Sequence, residues 1–248
     1  MKFSGILALA SLAVGQAAAG LLNHRHFHMR REAHAAPAEV LEKRGVLSAT
    51  GAALLSKIGF TATGTNSATN NGQAWLGADG PYVNNFINNS TEEIILVVWG
   101  PQGSWVNAVK PLIVASIPAG AVQTVSFANG ASGAWAPIYP DTTMSPYGQI
   151  FQTWGEYTFN GQWSTFDVSR EVNMNGKPMT ISTSSCTSDF ERCVFQCTGG
   201  ATSCMTGYEL YNCAAGSQPG AQSGTYAGAA SGGCSGMGDT ANITTTFS

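Results

Sequence analysis

Residues 111–139 read PLIVASIPAGAVQTVSFANGASGAWAPIY. Three runs of branched and aromatic residues, Pro111–Ile117, Val122–Phe127 and Trp135–Tyr139, are separated by Pro118-Ala119-Gly120 and by Asn129-Gly130. Proline presets one backbone angle while Gly and Asn tolerate positive φ, so both breaks read as turns, with a chemistry that favours hairpins. The same punctuation continues upstream through Tyr82–Ile87 and Glu93–Trp99. Strand-like runs at intervals of about eight to twelve residues, with no helical period between them, predict an all-β chain folded as an antiparallel sandwich or barrel.

Further upstream the text changes character. Met1 and Lys2 open a basic start, Ile6–Val14 is apolar and Ala17-Ala18-Ala19 suits a signal-peptide cleavage site, so residues 1–19 read as a secretory signal. The apolar run is too short to span a bilayer. Leu41-Glu42-Lys43-Arg44 ends in a dibasic pair, which makes residues 20–44 a pro-segment processed after Arg44. Its Asn23–His28 stretch alternates histidines that could bind metal or sense pH, although a disposable solvated peptide is the simpler reading. In residues 45–74, Leu47, Leu54, Leu55 and Ile58 sit at near-helical spacing before the polar run Thr61–Gly72, a short helix followed by a tether.

Processing at Arg44 changes the chemical inventory. All four histidines precede residue 45, so a mature chain has no Ser-His-Asp or Cys-His triad and no His-ligated zinc. Beyond residue 44, five basic residues face eleven acidic ones, a net charge of −6. Nucleic acid and anionic membranes are poor partners for such a chain, and membrane insertion is not expected. No phosphate loop or dinucleotide fingerprint occurs, Gly130-Ala131-Ser132-Gly133 lacks the spacing of a nucleophile elbow, and neither a cofactor nor a metal is implied.

The six cysteines, Cys186, Cys193, Cys197, Cys204, Cys213 and Cys234, all lie in the last quarter of an exported chain and are expected to form three disulfides. Their spacing does not choose among the possible pairings. The expected organisation is a sandwich core over residues 75–185 completed by a Cys-rich lobe of loops over 186–248, with Gly216–Gly233 irregular. Sequons at Asn88, Asn89 and Asn242 are candidate glycan acceptors.

The richest chemistry lies in Trp154–Ile181, WGEYTFNGQWSTFDVSREVNMNGKPMTI. Glu156, Asp167 and Glu171 stand among Trp154, Tyr157 and Trp163, and carboxylates beside aromatic rings suggest a sugar-facing surface. If Glu156 and Asp167 lie on adjacent strands joined through Asn160-Gly161, their carboxyls share one face at a spacing that suits glycoside hydrolysis. The bland alternative is solvated surface acids paired with a nearby base such as Arg170.

Tyr82–Trp99, Ser116–Tyr139 and Gly155–Thr180 together resemble, in order, segments of thaumatin-like and osmotin-like proteins. With the leader and the few cysteines, the chain is similar to a small secreted fungal branch of that superfamily. The resemblance implies a β-sandwich with an acidic cleft beside a cysteine-stabilised lobe, associated in plant members with β-1,3-glucan binding or weak endoglucanase activity. Glu156 matches the family's Glu, and Asp167, in FDVS, matches its first Asp. Glu171 fits the second Asp only after a shift of register, the family's Arg is missing after Trp135-Ala136-Pro137, and the last Asp has no counterpart.

That incomplete set sets the functional expectation. The leading reading is a monomeric, secreted, non-catalytic effector or elicitor that engages a plant extracellular protein or a wall glycan through Trp154, Tyr157, Trp163, Glu171 and Asp141. The alternatives are a β-1,3-glucanase acting through Glu156 and Asp167, and a wall-associated glucan-binding or antifungal protein.

Overall fold

The computed structural model describes residues 46–248. The signal peptide, the pro-segment, its histidines and the cleavage position at Arg44 lie outside them. Two sheets face each other. In spatial order the six-stranded sheet is β1 (Ala74–Leu76), β5 (Val122–Phe127), β2 (Tyr82–Asn88), β15 (Ala241–Phe247), β9 (Met179–Ser182) and β10 (Thr187–Ser188). The nine-stranded sheet runs β12 (Tyr208–Tyr211), β11 (Val194–Cys197), β8 (Thr165–Ser169), β7 (Trp154–Phe159), β6 (Ala131–Ile138), β3 (Ile94–Trp99) and β4 (Ile113–Ile117). The hairpin β13 (Ala221–Tyr226) and β14 (Ala229–Ser235) joins it through β8. Pairing is antiparallel except between β2 and β15 and between β8 and β11.

The main core lies between the sheets. Tyr82, Phe86, Phe127, Trp135, Tyr157, Phe159 and Phe247 meet there, with Trp135 stacked on Tyr157 at 5.4 Å between ring centroids. A second core covers the other face of the nine-stranded sheet, where Ile95, Val97, Trp99 and Trp154 pack with Leu55, Phe60, Val106 and Ile150. With both faces covered, β3 (IILVVW) is buried at every residue, which is why it reads as a continuous apolar run. β15 (ANITTTF), covered on one face, alternates instead.

Helix α1 (Ala49–Lys57) supplies part of that third layer. Ser48 caps it by accepting from the Gly51 N–H at 2.8 Å, and Gly59 at φ 75° ends it in a conformation that glycine adopts without strain. Thr61–Gly72 is fixed in place rather than a slack tether. Thr65 and Asn66 donate backbone N–H groups to Pro111 and Leu112, and the Asn66 amide donates to Val114 O while accepting from Val114 N. These bonds cover the edge of β4 with side-chain and loop partners, which blunts it against edge-to-edge pairing.

Three expectations about chain path are corrected. Pro118–Gly120 and Asn129-Gly130 close no hairpins, because β4 and β6 belong to one sheet and β5 to the other. The chain crosses the core at both turns, and Asn88 stitches the first crossing by donating its amide to Ile117 O and its backbone N–H to Ala121 O. The region 186–248 is not a lobe of loops, since β15 lies between β2 and β9 while β11 and β14 both pair with β8. Gly216–Gly233 is not irregular either, because it holds most of the β13–β14 hairpin. Small residues let that hairpin lie flat on its neighbours: a Cβ on Gly233 would come within 2.5 Å of Phe166 O.

The cysteines pair as Cys186–Cys234, Cys193–Cys213 and Cys197–Cys204, with none free among the described residues. The sulfurs of Cys186, Cys193 and Cys234 lie within 4.8 Å of one another, so two bridges form one buried knot. No described helix is long and apolar enough to cross a membrane.

Candidate functional site

Strands β7 and β8 pair in a register that sets Glu156 directly opposite Asp167. Directly opposed residues share a face, with Cβ atoms about 4.5–5.5 Å apart. The loop between the strands is longer than a two-residue turn: Gly161–Trp163 forms a single 3-10 turn, and Asn160 N–H donates to the Ser164 hydroxyl at 2.9 Å. Across β7, Ala134 on β6 stands opposite Glu156.

Parity then separates the aromatic residues. Trp154 shares the outward face with Glu156 but is fully buried in the second core, edge-on to Trp99 at 4.9 Å, with its indole N–H donating to Ile150 O at 2.9 Å. Tyr157 points the other way, into the main core, and donates to Trp99 O at 3.3 Å. Burial raises the Tyr157 phenol well above its ordinary value, so it stays neutral. Trp163 is 59% exposed on the 3-10 turn, several residues along the hairpin from the acid pair.

The acids themselves are inside. In the full-length chain Glu156 is 3% exposed, Asp167 6% and Glu171 0%. Glu171 follows β8 by two residues, and its carbonyl accepts from Cys204 N–H at 2.8 Å, which ties the Cys197–Cys204 loop to this end of the sheet. Arg170 turns its guanidinium to Met174 O and to the Phe190 ring, 4.2 Å from the centroid. Burial lowers its pKa from the ordinary arginine value. Asp141 lies apart on an exposed loop, paired with Lys177 at 3.1 Å, whose ammonium sits over Tyr139 at 4.3 Å. Burial and the Asp141 charge raise the Tyr139 pKa.

Of the residues singled out in the sequence, the fold thus brings Glu156 and Asp167 together and disperses Trp163 and Asp141. Trp154 and Tyr157 serve as packing. Among the sequons, Asn88 is committed inward by its amide bonds and offers no acceptor, whereas Asn89 and Asn242 are exposed. Glu156 and Asp167 are direct cross-strand neighbours, the placement that a pair of carboxyls acting on one glycosidic bond requires.

Two glycines set the local geometry. A Cβ on Gly155 would sit 2.3 Å from the Trp135 indole nitrogen, and one on Gly133, at φ 157°, 2.0 Å from Trp99 O. Glycine inside a strand pattern was the available signal for close backbone approach.

A profile of the Allergen Asp f 4-like domain matches residues 78–228. Among solved structures, that of the protein elicitor MoHrip2 from Magnaporthe oryzae is similar at 11% identity and a TM-score of 0.34, covering 67% of this chain and 98% of that one. No curated protein matches the chain.

Proposed function

The chain belongs to the Allergen Asp f 4-like family, and we propose that it works outside the cell as an effector or elicitor that engages a plant extracellular protein or a wall glycan without turning it over. Its three disulfides support that location, since such bonds persist where the surroundings are oxidising. Kinship with thaumatin-like proteins is part of the proposal.

The burial of Trp154 and Tyr157 carries the non-catalytic reading. A glycosidase needs its sugar held across both carboxyls in a defined pose, and exposed aromatic rings beside them would be one surface to hold it. Here the rings next to Glu156 belong to the two cores. The arginine expected to orient charge beside them is absent, with Pro137 following Trp135-Ala136.

A second reading, β-1,3-glucan hydrolysis, draws on the direct opposition of Glu156 and Asp167. One experiment separates the two. Secreted protein and its Glu156→Gln variant are infiltrated into leaf tissue and, in parallel, incubated with β-1,3-glucan. The effector reading expects an equal tissue response to both proteins and no reducing ends released by either. Release by the natural protein that is lost in Glu156→Gln would establish the hydrolase instead.

A further inference from the structure

None of the six strands of the smaller sheet contains Asp, Glu, Lys or Arg. Its inward residues, among them Phe86, Phe127, Ile181, Ile243 and Phe247, fill the main core. Its outward residues fall in register across four strands. Thr124, Asn85, Thr244 and Ser182 form one row, and Val122, Ile87, Thr246 and Thr180 form the next. The Thr124 hydroxyl donates to Asn85 Oδ1 at 2.8 Å, which fixes the amide within its row. Helix α1 packs on the other sheet, so among the described residues no helix covers this face.

The polar row runs into a groove of about 750 Å³, and Ser182 and Thr244 belong to both. The lining is uncharged throughout: hydroxyls and amides with Val83, Met237 and small residues. On a chain with an acidic surplus, this is a continuous region free of charge.

We propose that this face and groove bind a neutral oligosaccharide segment of a wall polysaccharide. Adjacent strands lie about 4.8 Å apart, so the row offers closely spaced hydroxyl and amide partners for sugar hydroxyls, while the Val122–Ile87 edge offers apolar contact for ring C–H faces. An anionic polymer finds no cation here, and a protein partner finds none of the Trp, Tyr or Arg anchors that dominate such interfaces. An apolar ligand would leave the hydroxyl lining unsatisfied. The site is separate from the Glu156–Asp167 pair. It rests on the extracellular reading above only for the source of the ligand.

The test uses full-length protein secreted without N-glycans, so that nothing attached at Asn242 covers the groove. Binding is measured by NMR shift perturbation with three neutral probes, oligomers of β-1,3-glucan, β-1,4-glucan and chitin, and with polygalacturonate as the anionic control. The expected result is saturable binding of at least one neutral probe and none of polygalacturonate. Ser182→Lys should weaken it at least roughly tenfold and Thr246→Val measurably, whereas Glu156→Gln should leave it unchanged. Near-UV circular dichroism confirms the fold of each variant. Absence of neutral binding, equal binding of polygalacturonate, or loss in Glu156→Gln with retention in folded Ser182→Lys overturns the proposal. A leaf response by natural protein that binds no neutral probe would leave the effector reading standing and sink this one.

Discussion

The two sheets solve opposite problems with similar strands. The six-stranded sheet buries one face, carries no charge in any strand and turns Thr, Ser and Asn outward. The nine-stranded sheet is covered on both faces over β3 and β6, and it holds Glu156, Asp167 and Glu209, the charged residues of the strands. A sheet with one solvated face satisfies its polar residues with water. A sheet with a third layer must place polar groups against protein, where an unsatisfied one is costly. The acid pair therefore sits where the structure has most control over its surroundings, and the uncharged rows sit where it has least.

The largest effect should come from the disulfide that joins the two sheets. Cys186 precedes β10 of the six-stranded sheet and Cys234 lies on β14 against β8, at a sequence separation of 48. Loop-closure entropy assigns such a bridge about 4 kcal/mol, against about 2 for Cys197–Cys204, separated by 7. Paired serine substitutions measured by denaturant unfolding should keep that order. Equal losses would mean that the sheets are held together by packing alone.

Tyr82 is the next tie between them. Its hydroxyl accepts from Gly161 N–H and the Ser164 hydroxyl, both at 3.0 Å, and donates to Gly238 O at 2.7 Å, joining β2 to the β7–β8 loop. Tyr82→Phe leaves these buried groups short of a partner and should cost about 1–3 kcal/mol. A Tm unchanged from the natural protein would show that the loop closes independently.

Within the six-stranded sheet, Asn84 donates to the Thr245 hydroxyl at 2.9 Å, a buried polar contact between parallel strands. Thr245→Val should cost about 1–2 kcal/mol by stranding the Asn84 amide, and the double change Asn84→Leu with Thr245→Val should cost less than Thr245→Val alone. A double variant worse than the single would show that packing volume outweighs the hydrogen bond.

The smallest effect lies outside both cores. Burial pushes the Asp189 carboxyl up, but the Arg192 side chain and the backbone N–H groups of Glu191 and Arg192 hold it, on balance, below its usual value. The folded pKa is the depressed one, so its stabilisation is complete above the unfolded carboxylate range, near about 4, and disappears as pH falls through the folded value. Asp189→Ala should cost roughly 0.5 kcal/mol at pH 7 and nothing once the natural carboxylate is protonated. A cost that persists at low pH would assign the residue a packing role.

Much of this fold was legible in the text. Val122–Phe127 reads as a strand at its observed boundaries, and the adjacent-strand arrangement that the sequence leaves conditional for Glu156 and Asp167 is the one the fold adopts. What the local pattern did not carry was partnership. A Pro-Ala-Gly turn is the same whether the next strand lies alongside or across the core, so both crossings read as hairpins. β15 is faint in the sequence because ANITTTF offers few apolar residues, although β-branched threonine suits a strand. The rings of Trp154 and Tyr157 looked available for sugar because sequence gives alternation without saying whether the second face is covered.

By itself, then, the sequence determined that this chain is an all-β, cysteine-bridged protein with two acids, Glu156 and Asp167, flanking one turn signal, because strand period, turn chemistry and residue inventory are local properties. Only the tertiary structure decided which strands share a sheet, which cysteines meet and which face of each sheet sees water. Those depend on contacts between residues far apart in the chain, such as β2 with β15 and Cys186 with Cys234. Burial changes what a residue does: it made Trp154 part of the packing, drew Glu156 inside, and left the outward rows of the six-stranded sheet partly exposed.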